Sequence, residues 1–270
     1  MRRCLSGCLR TGDAYQKGRG DRMKPLILML QFLTRIPINV VIECDETDFK
    51  KGIYWFSAVG AILGLMLTGI AFWLYRYLND PWMSGILLTM LHVLFTGGLH
   101  LDGVADSADG LLSNREPKRM LEIMKDSRIG SNGVIALIFV LALKTVGFKL
   151  MVDYGLFWAI FAMPLVARAA VVYAFWRGTT PREQGMGNLF IGQASGKEMA
   201  VNMILPLLLM LKIGYMPVAI IISFLFTHLL ISESNKKIDG ITGDVLGAII
   251  ELNEVVFGLV TLVAVSLWWF

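Results

Sequence analysis

The sequence predicts an all-α, polytopic integral membrane protein with roughly seven transmembrane helices and room for re-entrant segments. Hydrophobic residues make up 56% of the 270 residues and charged residues only 17%, whereas soluble domains are about 45–50% apolar and about 25% charged. Several apolar runs approach the length of about 20 residues that a helix needs to cross a bilayer. This composition excludes a disordered chain and a disulfide scaffold, and the net charge of +4 gives no reason to expect a nucleic-acid partner.

Residues 1–22 differ from the rest of the chain because they are basic and rich in glycine. We expect them to be a disordered or misassigned N-terminal extension, since Met23 begins a segment more typical of a natural start. Residues 23–270 are then a single membrane-embedded catalytic domain. Cys4, Cys8 and Cys44 lack the spacing of a zinc site, so we expect them to be reduced.

Apolar runs along the chain predict the individual spans. The run 26–33 is too short to cross a bilayer and is predicted to be re-entrant or interfacial. Gly60 and Gly64 form a small-xxx-small pattern that favours close helix contact. Basic residues in the polar inserts predict that these inserts face the cytoplasm. The inserts cannot all lie on one side if every apolar segment crosses the membrane, so at least one segment is predicted to be broken or re-entrant. The predicted spans are 53–77, 84–96, 133–152, 155–176, 199–213, 215–231 and 255–270.

The most distinctive polar segment is GGLHLDGVADSADGLL, residues 97–112, which directly follows an apolar run. Asp102, Asp106 and Asp109 are spaced i, i+4 and i+7, so a helix places their carboxylates on one face. These carboxylates repel one another unless a cation lies among them, and Mg²⁺ is commonly held by one or two carboxylates with substrate phosphate oxygens. We therefore predict a metal site rather than a solvated acidic face. His100 is either a ligand, a phosphate contact, a general base or a structural histidine.

Three further positions carry charges or amides that suit an anionic substrate. Lys125 and Arg128, with Asp126 between them, are suited to phosphate oxygens, although a basic patch on lipid headgroups is the alternative. Arg168 lies in the middle of a predicted span, where it either binds substrate or pairs with a carboxylate of another helix. Asn188 lies in a glycine-rich turn that, with Arg177 and Arg182, is a candidate for holding an anionic or nucleotide group.

The segment DGITGDVLGAIIELNE, residues 239–254, places acidic side chains in an otherwise apolar C-terminal third. Asp244 and Glu251 share one helical face, and Glu254 extends that face. Carboxylates in such surroundings are costly unless they are paired. We predict that they contact metal or substrate, or else form ion pairs with Arg168 or a lysine.

Several carboxylates, cations and glycines together indicate a membrane enzyme that handles a phosphorylated substrate with Mg²⁺. The three segments GGLHLDGVADSADGLL, MKDSRIGSNGVIALI and TGDVLGAIIELNE closely resemble those of the cobalamin synthase family, adenosylcobinamide-GDP ribazoletransferase. FLTRIPI (32–38) and YWFSAVGAILG (54–64) add to this resemblance, which runs from about Met23 to the C-terminus. It is weakest over residues 182–197.

The resemblance implies a multi-pass enzyme of the bacterial cytoplasmic (inner) membrane whose active site faces the cytoplasm and uses Mg²⁺. A ribose hydroxyl of α-ribazole, or of α-ribazole 5′-phosphate, attacks the cobinamide-bound phosphorus of adenosylcobinamide-GDP, and GMP leaves. The expected partners are therefore these two substrates and the lipid bilayer, and a homo-oligomer is compatible with a membrane enzyme of this size.

Roles for individual residues follow from combining the resemblance with the chemistry of the side chains. The base that accepts the hydroxyl proton is His100 or one of the aspartates. The expected metal ligands are Asp102, Asp106, Asp109 and Asp244. The expected catalytic residues are His100, Asp102, Asp106, Lys125 and Arg128, and the expected substrate-binding residues are Asp126, Arg168, Asn188 and Asp244.

Two other classes of protein compete with this interpretation. A CDP-alcohol phosphatidyltransferase also uses an aspartate-rich motif in a membrane helix, but its last two aspartates are four apart, whereas Asp106 and Asp109 are three apart. A transporter would use the acidic residues as an ion pathway, and such proteins often contain internal repeats. The segments around residues 105 and 244 share only short Asp-Gly fragments, which disfavours a transporter.

Overall fold

The computed structural model describes residues 23–269, so the expectation for residues 1–22 lies outside the described residues. All regular secondary structure in the described range is helical, which confirms the all-α prediction. Two short 3₁₀ turns, Ile53–Trp55 and Met186–Leu189, interrupt the longer helices. In chain order the α-helices of the described range are α1 (Lys24–Leu33), α2 (Glu46–Gly52), α3 (Phe56–Tyr77), α4 (Pro81–Thr96), α5 (Leu99–Leu111), α6 (Pro117–Ile123), α7 (Ser131–Asp153), α8 (Phe157–Arg177), α9 (Gly196–Lys212), α10 (Met216–Ile238) and α11 (Gly243–Trp269).

Five helical segments in the described range are long and apolar enough to cross a membrane, which supports a polytopic membrane protein. They are Glu46–Tyr77, Ser131–Asp153, Phe157–Arg177, Met216–Ile238 and Gly243–Leu267, and the bent pair α4 and α5 gives a sixth if it counts as one span. The predicted number of seven is not confirmed. The predicted span 199–213 corresponds to α9, a 17-residue helix interrupted by Pro206, which is not among the five.

The C-terminal acidic segment and the last predicted span form a single helix. The sequence predicts a span over 255–270, whereas α11 begins at Gly243 and continues to Trp269. Asp244, Glu251 and Glu254 therefore belong to the same long helix as the apolar residues that follow. This continuity carries two carboxylates deep into the helix bundle.

The chain bends sharply by 92° between α4 and α5, as expected for a broken or re-entrant segment. Gly97 and Gly98 at the bend have φ values of +64° and +67°. Residues with a Cβ rarely adopt this left-handed conformation, which glycine accepts readily. The bend directs the aspartate-bearing helix α5 away from the axis of α4.

The centre of the bundle is α8, the most buried of the five candidate spans. It packs closely against α3, where the small-xxx-small prediction is confirmed. A Cβ added to Gly60 would lie 2.5 Å from the carbonyl oxygen of Pro164, and one added to Gly64 would clash with the backbone of Phe161. The two helix backbones therefore touch at these glycines.

Helix α5 is fixed against α11 and α10 at one end of the bundle. A Cβ on Gly103 would lie 2.5 Å from the carbonyl oxygen of Asp244, so α5 and α11 are in backbone contact. The Lys237 ammonium at the end of α10 donates a 2.8 Å hydrogen bond to the carbonyl oxygen of Leu111, the last residue of α5. These contacts bring the two acidic segments of the sequence together.

Candidate functional site

A cavity of about 230 Å³ lies between α5, α8, α11 and the segment that connects α8 to α9. Its polar lining includes His100, Asp102, Arg182, Asn188 and Asp244. Four of these five are predicted site residues, and they come from three distant parts of the sequence. The apolar part of the lining consists of Phe32, Leu33, Phe56, Leu99, Met186, Val171, Phe175, Phe190, Leu246 and Ile250.

Asp106 lies one helical turn beyond Asp102 and is half-buried. The charged groups that act most strongly on its carboxylate are Asp102, Asp244 and Asp109, opposed by the guanidinium of Arg182. Negative charge therefore accumulates between α5 and the start of α11. Such a set of oxygen donors suits a hard divalent cation.

Asp109 has a different environment from the other two aspartates of α5. Its carboxylate accepts hydrogen bonds from the backbone N–H groups of Gly130, at 2.6 Å, and Gly133, at 2.8 Å. These groups belong to the first turn of α7, whose N-terminal N–H groups have no partner within their own helix. Asp109 therefore caps α7 from a neighbouring helix, and glycine is needed at both positions because a Cβ there would lie 2.5 Å from a carboxylate oxygen.

The predicted ligands do not form a closed metal cage. Within residues 23–269, no group of three or more His, Cys, Asp or Glu side chains is close enough together to hold a metal ion. Asp102 is exposed, and Asp244 already lies 3.0 Å from an arginine nitrogen. A Mg²⁺ ion held by one or two carboxylates, water and substrate phosphates does not require such a cage.

Asn188 organises the segment that closes one side of the cavity. Its side-chain N–H₂ donates to the carbonyl oxygens of Arg182, at 2.9 Å, and Glu183, at 3.1 Å. Its side-chain oxygen accepts a 3.2 Å hydrogen bond from the Thr180 hydroxyl. The predicted substrate-binding residue thus lines the cavity while its amide group holds the loop in place.

The basic segment between α6 and α7 is exposed and does not line the cavity. The Arg128 guanidinium donates to both carboxylate oxygens of Asp126, from Nε to Oδ1 at 3.0 Å and from Nη2 to Oδ2 at 2.6 Å. These hydrogen bonds lower the pKa of Asp126 to about 2. Lys125 is exposed beside the pair. Gly130, at the end of this segment, links it to α5 through its hydrogen bond to Asp109.

Arg168 is fully buried and does not line the cavity. Its guanidinium forms an ion pair with Glu254 and a 3.3 Å hydrogen bond with the carbonyl oxygen of Pro164. The Lys144 ammonium contacts both Glu251 and, at 2.5 Å, Glu254. The structure thus shows the ion-pairing alternative for Arg168, Glu251 and Glu254.

His100 lies between the cavity and this buried ionic cluster. His100 is one of the residues that line the cavity, and its Nδ1 is 4.0 Å from the Glu251 carboxylate. That nitrogen has no hydrogen-bond partner within the described residues. His92, which we expected to be structural, is buried against Glu254 at 3.5 Å and Lys144 at 3.4 Å.

Two site features were absent from the sequence-based residue assignments. Lys144, the partner of Glu251 and Glu254, is not among the predicted site residues, although a lysine inside a predicted apolar span is a recognisable signal. Arg182 is predicted only as part of a turn, because spacing along the chain does not indicate its pairing with Asp244. Both pairings depend on contacts between segments that are far apart in the chain.

Comparison with known proteins gives consistent matches over most of the chain. The family model for cobalamin-5-phosphate synthase matches residues 25–262. An adenosylcobinamide-GDP ribazoletransferase from Clostridioides difficile (strain 630) is 42% identical over 248 residues, which cover 87% of this chain and 95% of the relative. A protein with the same name from Alkaliphilus metalliredigens (strain QYMF) is 42% identical, and the match covers 86% of this chain and 92% of the relative. Another from Clostridium botulinum (strain Loch Maree / Type A3) is 39% identical, and the match covers 89% of this chain and 98% of the relative. No solved structure matches the chain.

Proposed function

Because the chain belongs to the cobalamin-5-phosphate synthase family, we propose that it acts as an adenosylcobinamide-GDP ribazoletransferase. The structural observation that supports this proposal most directly is the meeting of His100, Asp102, Asn188 and Asp244 at one cavity. These residues come from the segments that carry the family resemblance. Their carboxylate, imidazole and amide groups suit phosphoryl-group chemistry.

The reaction replaces a phosphoanhydride oxygen at the cobinamide-bound phosphorus by a phosphoester oxygen. A ribose hydroxyl oxygen of α-ribazole, or of its 5′-phosphate, forms a new bond to that phosphorus. The bond from the same phosphorus to the oxygen of GMP breaks, and GMP takes the electron pair. The hydroxyl proton passes to a base, so atoms and charge balance, and the product is adenosylcobalamin or its 5′-phosphate.

We propose that Mg²⁺ is the metal for this reaction and that one or two carboxylates of the set Asp102, Asp106 and Asp244 hold it, together with water and substrate phosphate oxygens. The fit rests on the donor set, since the carboxylates of Asp102 and Asp244 both act on Asp106 and the guanidinium of Arg182 opposes them there. When bound, Mg²⁺ neutralises charge on the diphosphate and on departing GMP. Asp109 contributes through α7, because its carboxylate is hydrogen-bonded to that helix.

His100 and Asp102 are our two candidates for the base that accepts the proton of the attacking hydroxyl. His100 and Asp102 both line the cavity, and the His100 Nδ1 atom lacks a hydrogen-bond partner within residues 23–269. A general base must reach the hydroxyl within hydrogen-bond distance. Lys125 and Arg128 lie outside the cavity, so their contribution would be to phosphate or corrinoid groups that extend from its mouth.

We infer that the site faces the cytoplasm of the bacterium, at the inner membrane. The Lys237–Leu111 and Asp109–Gly130 contacts place the ends of α5 and α10 and the start of α7 at one end of the bundle. Lys125 and Arg128 lie in the connection before α7, and Lys236 and Lys237 lie in the last turn of α10. Basic residues at one end of the spans favour the cytoplasmic side. The lipid bilayer as surroundings and a homo-oligomer belong to the same proposal.

GMP release from adenosylcobinamide-GDP tests the proposed function. The full chain is purified in detergent and supplied with donor, α-ribazole 5′-phosphate and Mg²⁺, and each component is omitted in turn. We expect GMP and a cobamide product in equal amounts only when donor, acceptor and metal are all present. Folded protein that releases no GMP would overturn the proposal, and release without acceptor would indicate hydrolysis instead of transfer.

A further inference from the structure

We propose that Arg182 binds a phosphate group of the substrate through the edge of its guanidinium formed by Nε and Nη2. This proposal deepens the proposed function and rests on it. Arg182 lines the cavity, and its Nη1 lies 3.0 Å from the Asp244 carboxylate. Its Nε and Nη2 atoms are buried and have no hydrogen-bond partner within the described part of the chain.

The unpaired edge is chemically suited to an oxyanion. Nε–H and Nη2–H point in the same direction, so the two donors match two oxygens of a carboxylate or phosphate. Arg128 shows this use within the same protein, because its Nε and Nη2 donate to the two oxygens of Asp126. Arg182 lines the cavity, and the same edge of its guanidinium has no partner within residues 23–269.

Buried N–H donors without hydrogen-bond partners are unfavourable unless a ligand accepts their hydrogen bonds. Leaving a buried charged donor unpaired costs more free energy than an ordinary hydrogen bond contributes, so an unpaired donor of this kind indicates a missing acceptor. Most of the cavity lining is apolar, and low polarity strengthens each charged hydrogen bond. A phosphate oxyanion would satisfy both donors of Arg182.

The backbone around Arg182 is already fixed, so the guanidinium is presented from a defined position. The backbone N–H of Arg182 donates to the Thr180 hydroxyl at 3.2 Å, and its carbonyl oxygen accepts from Asn188 at 2.9 Å. Preorganisation of this kind lowers the entropic cost of binding. Asn188 thus acts as a positioning residue for Arg182.

Two other arginines in the chain do not fit this role. Arg168 also has unpaired Nε and Nη2 atoms, but it is fully buried and does not line the cavity. Arg177 ends α8 but is exposed, with its guanidinium 5.7 Å from the ring centroid of Trp176. The sequence predicts Arg177 beside Arg182 at an anionic group, but the structure does not bring Arg177 to the cavity. Arg177 therefore provides a matched control for the loss of one positive charge near the same connection.

The bound phosphate has two sources, the diphosphate of adenosylcobinamide-GDP and the 5′-phosphate of α-ribazole 5′-phosphate. Steady-state GMP release by Arg182→Gln is compared with wild type and Arg177→Gln, using both α-ribazole and its 5′-phosphate as acceptors. If the acceptor phosphate is bound, KM rises about 10- to 100-fold for α-ribazole 5′-phosphate alone. If the donor diphosphate is bound, kcat/KM for the donor falls by a similar factor, about 10- to 100-fold, with either acceptor.

Kinetics of Arg182→Gln that match wild type or Arg177→Gln with both acceptors would overturn the proposal. If Arg182→Gln does not fold, Arg182→Lys carries the test, because lysine keeps the charge but lacks the two-pronged edge. Folded Arg182→Lys with wild-type kcat/KM for both substrates would then overturn it. Equilibrium binding of inorganic pyrophosphate and α-ribazole 5′-phosphate to wild type and Arg182→Gln separates the proposed transferase function from the proposed role of Arg182. Weaker binding by the variant supports the Arg182 assignment even if wild type releases no GMP.

Discussion

The Oδ1 atom of Asp109 accepts a 2.8 Å hydrogen bond from the backbone N–H of Gly133, which ties the aspartate-bearing helix α5 to the first turn of α7. The other oxygen accepts from Gly130 at 2.6 Å. A carboxylate at a helix N-terminus satisfies free N–H groups and interacts favourably with the helix dipole. Asp109 is therefore a structural link between the cavity and the exposed basic segment.

Asp109→Ala should destabilise the start of α7, because two N–H groups lose their acceptor. Loss of a helix cap costs about 1 kcal/mol, so we expect a lower melting temperature and faster amide exchange at Gly130 and Gly133. Asp109→Asn keeps one acceptor oxygen and should show a smaller effect. Exchange rates that stay unchanged in Asp109→Ala, together with a raised Mg²⁺ requirement, would instead identify Asp109 as a metal ligand.

Gly103→Ala should separate α5 from α11 and reduce transfer activity. The added methyl group would lie 2.5 Å from the carbonyl oxygen of Asp244, so one helix must move. Misplacement of about 1 Å at a catalytic group can cost about 100-fold in rate. Gly147→Ala in α7 is the control, because a Cβ there has no neighbour within 4 Å. GMP release equal in both variants would show that this helix contact does not position the site.

Lys144→Met should destabilise the protein strongly by leaving Glu251 without its cation. Removal of one partner from a buried pair typically costs about 3–5 kcal/mol. The double variant Lys144→Met/Glu251→Gln should recover part of this loss, because Arg168 still pairs with Glu254. A double-mutant cycle of the free energy of unfolding in detergent measures the coupling. Additive effects of the two substitutions would contradict the pairing.

The Asp126–Arg128 pair should not titrate within the working pH range. The folded pKa of Asp126 is about 2, below the ordinary value of 3.8, because Arg128 donates hydrogen bonds to the carboxylate. A lowered pKa means that the pairing persists above the ordinary value and is lost only as pH falls through about 2. We expect Asp126→Asn to leave the shape of the kcat/KM profile between about pH 6 and 9 unchanged. A shifted acidic limb would show that Asp126 titrates during turnover.

Much of the site was predictable because its residue types and spacing are local. The i, i+4, i+7 pattern placed Asp102, Asp106 and Asp109 on a helix, and α5 contains all three. The cost of buried charge correctly indicated ion pairing as an alternative for Arg168 and Glu254. Glycines at Gly60 and Gly64 predicted a close helix contact that the structure contains.

The remaining features depend on tertiary contacts that a single sequence does not encode locally. Asp109 shares its helical face with Asp102, and only the position of α7 makes it a cap. Lys144 meets Glu254 across 110 positions in the chain. The number of spans also depends on tertiary structure, because apolar length alone does not distinguish a crossing helix from the bent pair α4 and α5.

The most direct test of the central claim is the turnover of Asp106→Asn at saturating Mg²⁺. Asp106 lies among the carboxylates of Asp102 and Asp244 that we assign to the metal, and asparagine removes its charge while keeping its shape. We expect GMP release to fall by about 100-fold or more, while the exposed control Glu122→Gln retains wild-type turnover. Folded Asp106→Asn with near-normal turnover at saturating Mg²⁺ would contradict the assignment of this site.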